Sequence, residues 1–355
     1  MKLGDFVYQY QPNRVVFGFG SLQKLMAEIE RLGCSKALIL CTPEQIKQAE
    51  VVKNILGHHA VGIFDKAVMH VPVETAHEAS KVAAELGADC AIAIGGGSTI
   101  GLGKAIALEH SLPIIAIPTT YAGSEMTPIY GVTENNIKKT GKDFRVLPKT
   151  VIYDPELTLS LPLEVSLTSG MNAIAHAAEG LYAQDGNPIM TLLAEEGIRA
   201  LAQGLKALKE NDQDREARSQ CLYGAWLCGT VLGNVGMALH HKLCHTLGGT
   251  FNLPHAPTHT VVLPQAIAYN EVVRPEVTAI ITRALNVSGV SAGQALFDLE
   301  QSLGLSTKLA DLNFTEIDIQ KATDIAMSNP YWNPRAFGYE DIQTLLKNAY
   351  FGIRP

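Results

Sequence analysis

AIAIGGGSTIGLGKAIAL, residues 91–108, runs from an apolar segment through three glycines into helix-forming residues, and its reading decides the fold. An apolar run without polar alternation describes a strand buried on both faces, as in a parallel sheet, and the glycines let the chain turn directly into a helix. The same rhythm recurs on both sides: KALILC (36–41), AVGIFD (60–65), DCAIAIGG (89–96), PIIAIPTT (113–120) and TVIYD (150–154) are short apolar runs. Amphipathic stretches separate them. VETAHEASKVAAELG (73–87) repeats its apolar residues at three and four and closes on Gly87, a C-cap candidate. This is the βα alternation of an α/β domain.

The pattern changes after DPELTLSLP (154–162). GMNAIAHAAEGLYA (170–183), MTLLAEEGIRALAQGLKALKEN (190–211) and LCGTVLGNVGMALHHKLCHTLGG (227–249) are rich in Ala, Leu and other helix formers, and each reads as a helix. The expected division is an α/β domain over 1–154 and an all-helical domain over 155–355. No flexible linker joins them, so close packing and a ligand cleft between them are expected.

Composition narrows the function. The 355 residues are 47% apolar and 18% charged, well within the globular range, and 35 acidic against 28 basic side chains leave a formal charge of -7. That balance argues against nucleic acid or an anionic membrane as partner, so an anionic substrate has to be met by local cations. MKLGDFVYQY lacks the basic flank and apolar core of a signal peptide, and no apolar run approaches the ~18 residues that span a bilayer, so a cytoplasmic protein is expected. The six cysteines (34, 41, 90, 221, 228, 244) form no CxxC pair and read as buried thiols, Cys244 alone having ligand potential through its flanking histidines.

Gly95, Gly96, Gly97 and Ser98 stand where backbone amides at a helix N-terminus meet phosphate. PTTYAGSE (118–125) also follows a buried strand and offers Thr119, Thr120, Tyr121 and Ser124 at the same end of the sheet. Two such loops side by side point to a dinucleotide, although the string is neither GxGxxG nor a Walker loop. In LCTPEQ (40–45), Cys41, Thr42 and Pro43 stand where an acidic residue would repel a 2'-phosphate. Thr42 therefore joins the cofactor set, with NADH as cofactor and NADPH also accepted.

GGGS, PTT and GSE, DPELTLSLP, NAIAHAAE (172–179) and HHKLCHTLGGTFNLPH (240–255), in this order, resemble the iron-containing alcohol dehydrogenase family from roughly residue 10 to the end. The resemblance implies that family's dehydroquinate synthase-like fold, an N-terminal parallel-sheet dinucleotide-binding domain and a C-terminal helical domain. It also implies a metal held by one Asp and three His. Carried over by motif, these four positions are Asn172, His176, His241 and His255, with His245 nearby and unligated. An amide thus replaces the anionic ligand, which weakens the hold on a divalent cation.

Two further departures bear on the branch. GGGSTIG puts Gly101 where the family commonly has an Asp, and PTTYAGSE is one residue shorter than the common form and inserts Tyr121. With GMNAIAHAAE and NPYWNPR (329–335), these look like the branch that reduces maleylacetate to 3-oxoadipate without metal, in the breakdown of aromatic compounds. Hydride addition to an alkene conjugated with a ketone develops an enolate, which an imidazolium or a neutral N–H stabilises, and a histidine near pKa ~6.5 supplies the proton.

On this resemblance His241 and His245 are the oxyanion donor and general acid, His176, His255 and Asn172 shape the pocket, and no metal is required. Arg335, Tyr121 and more weakly Lys242 are the substrate-binding candidates for a small dicarboxylate. His240 points about 100° away on its helix and reads as structural, while His259 fits either role. A homodimer is expected, VYQYQPNRVVFG (7–18) alternating like an exposed hairpin. A metal-dependent alcohol or polyol dehydrogenase and a non-catalytic nucleotide-binding protein are the competing readings.

Overall fold

The computed structural model describes residues 6, 8–9, 13–134 and 137–355 and divides into two compact units, Tyr10–Leu161 and Pro162–Pro355 with the N-terminal residues to Gln9. In the first, β1 (Arg14–Phe17), α1 (Leu25–Arg31), β2 (Ala37–Leu40), α2 (Ile46–Leu56), β3 (Ala60–Phe64), α3 (Val73–Glu85), β4 (Cys90–Gly95), α4 (Gly97–His110) and β5 (Ile114–Pro118) follow in turn. An antiparallel ribbon of β6 (Ile129–Glu134) and β7 (Ile137–Lys142) precedes β8 (Thr150–Tyr153). The main sheet has the order β1-β8-β5-β4-β2-β3 with every pair parallel.

The apolar runs form strands because both faces are covered. Ile39, Ile92, Ile94, Ile115 and Ile117 join Leu25 and Ile29 of α1 and Val52 of α2 on one side. Leu38, Leu40 and Ala91 join Ala79 of α3 and Leu102 and Ile106 of α4 on the other. Each large aliphatic side chain so buried contributes about 1.5–3 kcal/mol, which outweighs local propensity. Gly87 takes φ +62 just beyond α3, closing that helix. After β8, the Asp154 carboxylate caps the turn Pro155–Thr158 and accepts from the amides of Gly20 and Leu22 at 3.2 and 3.0 Å, tying the start of the unit to its end.

The N-terminal hairpin is not found where the structure can test it. Arg14–Phe17 lies parallel to β8 at the sheet edge, its register set by Arg14↔Thr150 through Phe17↔Tyr153; residues 7 and 10–12 lie outside the described residues. An alternating pattern suits an edge strand as well as a hairpin arm, because both expose one face.

The second unit is helical: α5 (Leu163–Gly180), α6 (Pro188–Glu210), α7 (Arg215–Asn234), α8 (Leu239–Phe251), α9 (His255–Glu271), α10 (Pro275–Leu285), α11 (Ala292–Leu303), α12 (Asp318–Ser328) and α13 (Tyr339–Phe351). α5 is central, packed by α6, α7 and α9, and every residue from Ser166 to Gly180 is buried. Its polar residues Asn172, His176 and Glu179, at i, i+4 and i+7, therefore share one face inside the protein. Among the described residues, no single helix is long and apolar enough to cross a membrane.

The stretch 227–249, expected as one helix, is broken. α7 ends at Asn234 and α8 starts at Leu239, and the two are bent by 96°. A helix pattern carries no mark of this break because the group that satisfies the new N-terminus comes from α5.

α6 and α7 approach through glycines. A Cβ on Gly224 would stand 2.7 Å from Leu201 Cγ and 3.0 Å from both the Gly197 carbonyl oxygen and the Leu201 nitrogen, so the backbones themselves would have to separate. Gly224→Ala is expected to lower stability by about 1–3 kcal/mol despite its better helix propensity, measurable as a fall in denaturant midpoint with unchanged slope.

Candidate active site

At the carboxyl edge of the sheet, strand order reverses between β2 and β4, where open α/β sheets bind ligands. Thr42 follows β2, and Gly95–Gly96 lead from β4 into α4, whose first turn carries no acidic residue and no side-chain cap. Its free amides face outward from a positive helix end. Gly95 is at φ +154, and a Cβ there would lie 2.5 Å from both Gln45 Oε1 and Thr99 Oγ1.

Polar side chains bind these loops together. Gln45 Nε2 donates to Thr119 Oγ1 at 2.7 Å, Thr42 Oγ1 donates to Gln45 Oε1 at 3.3 Å, and the Thr119 amide donates to the Gly95 carbonyl at 3.0 Å. Buried Lys104 donates to the Ser124 and Ile129 carbonyls and to Thr127 Oγ1, holding the loop that contains Ser124. Burial lowers the Lys104 pKa to about 7, opposed by nearby Glu125. The structure thus gathers Thr42, Gly95, Gly96, Gly97, Ser98, Thr119, Thr120 and Ser124 at one sheet edge, while the Tyr121 side chain is fully buried. Gln45, absent from the sequence reading, is the residue that links the three loops.

In the helical unit, six imidazoles gather around a carboxylate that sequence reasoning passed over. Glu179, fully buried on α5, accepts from the amides of Ala238 (3.0 Å), His240 (2.8 Å) and His241 (3.3 Å) at the start of α8, and from His241 Nδ1 at 2.7 Å. Burial would raise its pKa, but the His241 hydrogen bond, the charges of His241 and His240 and the Ala238 amide hold it at about 2. A carboxylate supplied from another helix therefore caps α8, which is why the chain breaks at 235–238.

The His176 ring lies 5.2 Å from His241, and His259 lies 4.9 Å from His241, 5.0 Å from His240 and 4.2 Å from His255, centroid to centroid. His241 is buried; His245 and His255 are exposed. Since Glu179 takes the Nδ1 proton of His241, the other ring nitrogen, Nε2, carries the lone pair when the ring is neutral. His241 Nε2, His176 Nδ1, both His259 ring nitrogens and Asn172 Oδ1 are buried without a hydrogen-bond partner. Each such atom costs about 1–3 kcal/mol, so their concentration marks a ligand site.

Models of the iron-containing alcohol dehydrogenase family match residues 12–155, and those of its C-terminal region match residues 166–350. The chain belongs to the iron-containing alcohol dehydrogenase family. It is 60% identical to a maleylacetate reductase of Burkholderia cepacia, over 99% of this chain and 100% of that one. Crystal structures of maleylacetate reductases from Agrobacterium tumefaciens (50% identity) and Rhizobium sp. strain MTP-10005 (51%) superpose with TM-scores of 0.96, covering 99% of this chain and 100% of each.

The family's metal can be tested against these residues. Asn172 Oδ1 and the free nitrogens of His176 and His241 are the right donor types for a divalent ion, and Glu179 orients His241 from behind. Every direct donor is nevertheless neutral. His240, His241 and His259 also bring ring nitrogens within 4.8 Å of one another. In that trio both ring nitrogens of His240 are engaged, Nε2 donating to the His259 carbonyl at 2.8 Å and Nδ1 lying 3.3 Å from His241 Nδ1.

Arg335 is not brought to the histidines. It stacks on the Tyr269 ring at 3.9 Å and donates to the Tyr269 carbonyl, ten residues along α9 from His259 and so about 15 Å away along the axis. Lys242, the weaker candidate, is a cation near the cluster: it sits 5.5 Å from the centre of the Tyr331 ring, whose hydroxyl is 3.2 Å from His245 Nδ1. Partial burial lowers its pKa.

Burial holds His176 and His259 far below the ordinary 6.5 and His240 at about 4, the neighbouring imidazoles adding to the effect for all three. Folded, they stay neutral where the unfolded chain takes up protons, so their contribution is intact above pH ~6.5 and lost as pH falls toward each native pKa. Glu179 adds a loss between about 4.5 and about 2. In chelator-treated protein, stability should fall by up to about 1.4 kcal/mol per pH unit per histidine below pH ~6.5. Urea titrations between pH 7.5 and 5 check this; a flat profile would show that the rings are not held neutral.

Proposed function

We propose that this chain is a maleylacetate reductase that uses NADH, and NADPH as well, and that imidazole rather than a metal ion handles the charge developed on the substrate. The observation that carries the reading is the neutral carboxamide of Asn172 among free imidazole nitrogens, while the carboxylate present, Glu179, is committed to α8 and His241. The full-length identity to maleylacetate reductases supports the substrate.

The nicotinamide supplies hydride to the alkene carbon conjugated with the ketone. The sheet-edge loops around Gly95–Ser98 and Thr119–Ser124 bind the pyrophosphate and ribose, and the lack of an acidic residue at Cys41–Pro43 leaves room for a 2'-phosphate. His241, held at Nδ1 by the Glu179 carboxylate, turns its Nε2 edge to the enolate oxygen as the oxyanion donor. Exposed His245, hydrogen-bonded with Tyr331, exchanges protons with water and delivers one to carbon. His176, His255 and Asn172 shape the pocket, and Lys242 meets a substrate carboxylate. A metal held by Asn172, His176 and His241 would act as a Lewis acid on the same oxygen. Among the described residues β1 is an edge strand, which suits pairing of two chains in a cytoplasmic homodimer.

Chelator-treated protein should oxidise NADH on addition of maleylacetate, with less than stoichiometric metal by elemental analysis. Activity abolished by chelator and restored by zinc or iron would instead favour the metal-dependent alcohol dehydrogenase reading, and NADH binding without turnover a non-catalytic one. His245→Asn should lower kcat by about 10²–10⁴-fold, and Glu179→Gln by about 10–100-fold with little change in the KM for NADH.

The same assay tests the glycine loop. Gly95→Ala should raise the NADH KM at least about tenfold, equivalent to ~1.4 kcal/mol, because the added methyl displaces Gln45 and Thr99. An unchanged KM would remove this loop from the cofactor site.

A further inference from the structure

Cys90 opens β4, at the end of the sheet opposite the glycine loop. The register Ala37↔Cys90 brings the turn 34–36, ahead of β2, beside it, and the amides of Asp89 and Cys90 reach the Lys36 carbonyl at 2.9 and 3.4 Å. The Asp89 carboxylate is fixed there by the Ser35 amide (2.8 Å), Ser35 Oγ (3.0 Å) and the Lys36 amide (2.8 Å). Cys34 Sγ faces the Asp89 carbonyl at 3.5 Å. The two sulfurs and a carboxylate oxygen of Asp89 all lie within 4.8 Å of one another. Neither sulfur is in a disulfide, and Cys34 is half-buried, leaving an approach from solvent.

We propose that Cys34, Cys90 and Asp89 form a second ligand site, for a thiophilic d10 divalent cation of the zinc group. Two soft sulfurs and one fixed oxygen select such an ion over calcium or magnesium, which take oxygen alone. Two sulfurs at ~2.3 Å from one tetrahedral ion stand about 3.8 Å apart, inside the observed limit, and water takes the fourth corner. Binding is an exchange without redox change: the ion replaces the two thiol protons, which leave to solvent, and two S–metal bonds form. Because each sulfur binds as its thiolate, uptake rises with pH. The bound ion clamps the 34–36 turn onto β4.

Cd2+ alone, titrated into the full-length protein, tests this through the ultraviolet charge-transfer band of Cd–thiolate bonds. One equivalent should develop the band and raise Tm by several degrees. Cys34→Ser, on a half-buried turn, should fold normally by circular dichroism and lose both effects, Asp89→Asn should weaken binding about tenfold or more, and Cys244→Ser should keep the band. Absence of the band in the wild type, or its persistence in Cys34→Ser with loss in Cys244→Ser, which would place the ion beside His240, overturns the proposal.

Discussion

The helical unit depends on a single buried negative charge. Glu179 has no Arg or Lys partner in its hydrogen bonds; three amides at the start of α8, the ring of His241 and the Tyr182 hydroxyl neutralise it instead. An isolated carboxylate in a dry core would take up a proton, yet this one is held at about 2. Its position sets where α8 begins, how sharply the chain bends after α7, and which nitrogen of His241 bears hydrogen. Removing the charge would leave several orphaned donors in one place, so the helix break and the orientation of the imidazole stand or fall together.

The rest of the cluster is arranged to remain uncharged. Packing His176, His240 and His259 within a few ångströms makes each protonation oppose the next, and burial adds to that opposition. In a protein of net charge -7, Lys242 places a local positive charge beside Tyr331 and hence near the cluster.

The α/β unit was legible because its information is local. Five apolar runs each predict a strand, and all five are strands, since a parallel sheet buried on both faces requires nothing more than continuous apolarity. Asn172, His176 and His241 were equally visible through their motifs. Glu179 stood in the same NAIAHAAE string but gave no sign of its role, because its partners lie about sixty residues on, at a break that helix periodicity cannot show. Arg335 shows the complementary case: its packing on the Tyr269 ring, at the far end of α9, could not be read from its loop.

Alone, the sequence determined the strands, the helical character of the second half, the glycine turn and the exchange of a carboxylate for Asn172, since each follows from residue type and short-range spacing. Tertiary structure decided what those residues face. Only packing unites Glu179 with α8, leaves imidazole nitrogens buried without partners, and sets Cys34 beside Cys90 across more than fifty residues, where the sequence singled out Cys244. Hydrogen bonding and desolvation act over a few ångströms of space, whereas a sequence records distance only along the chain.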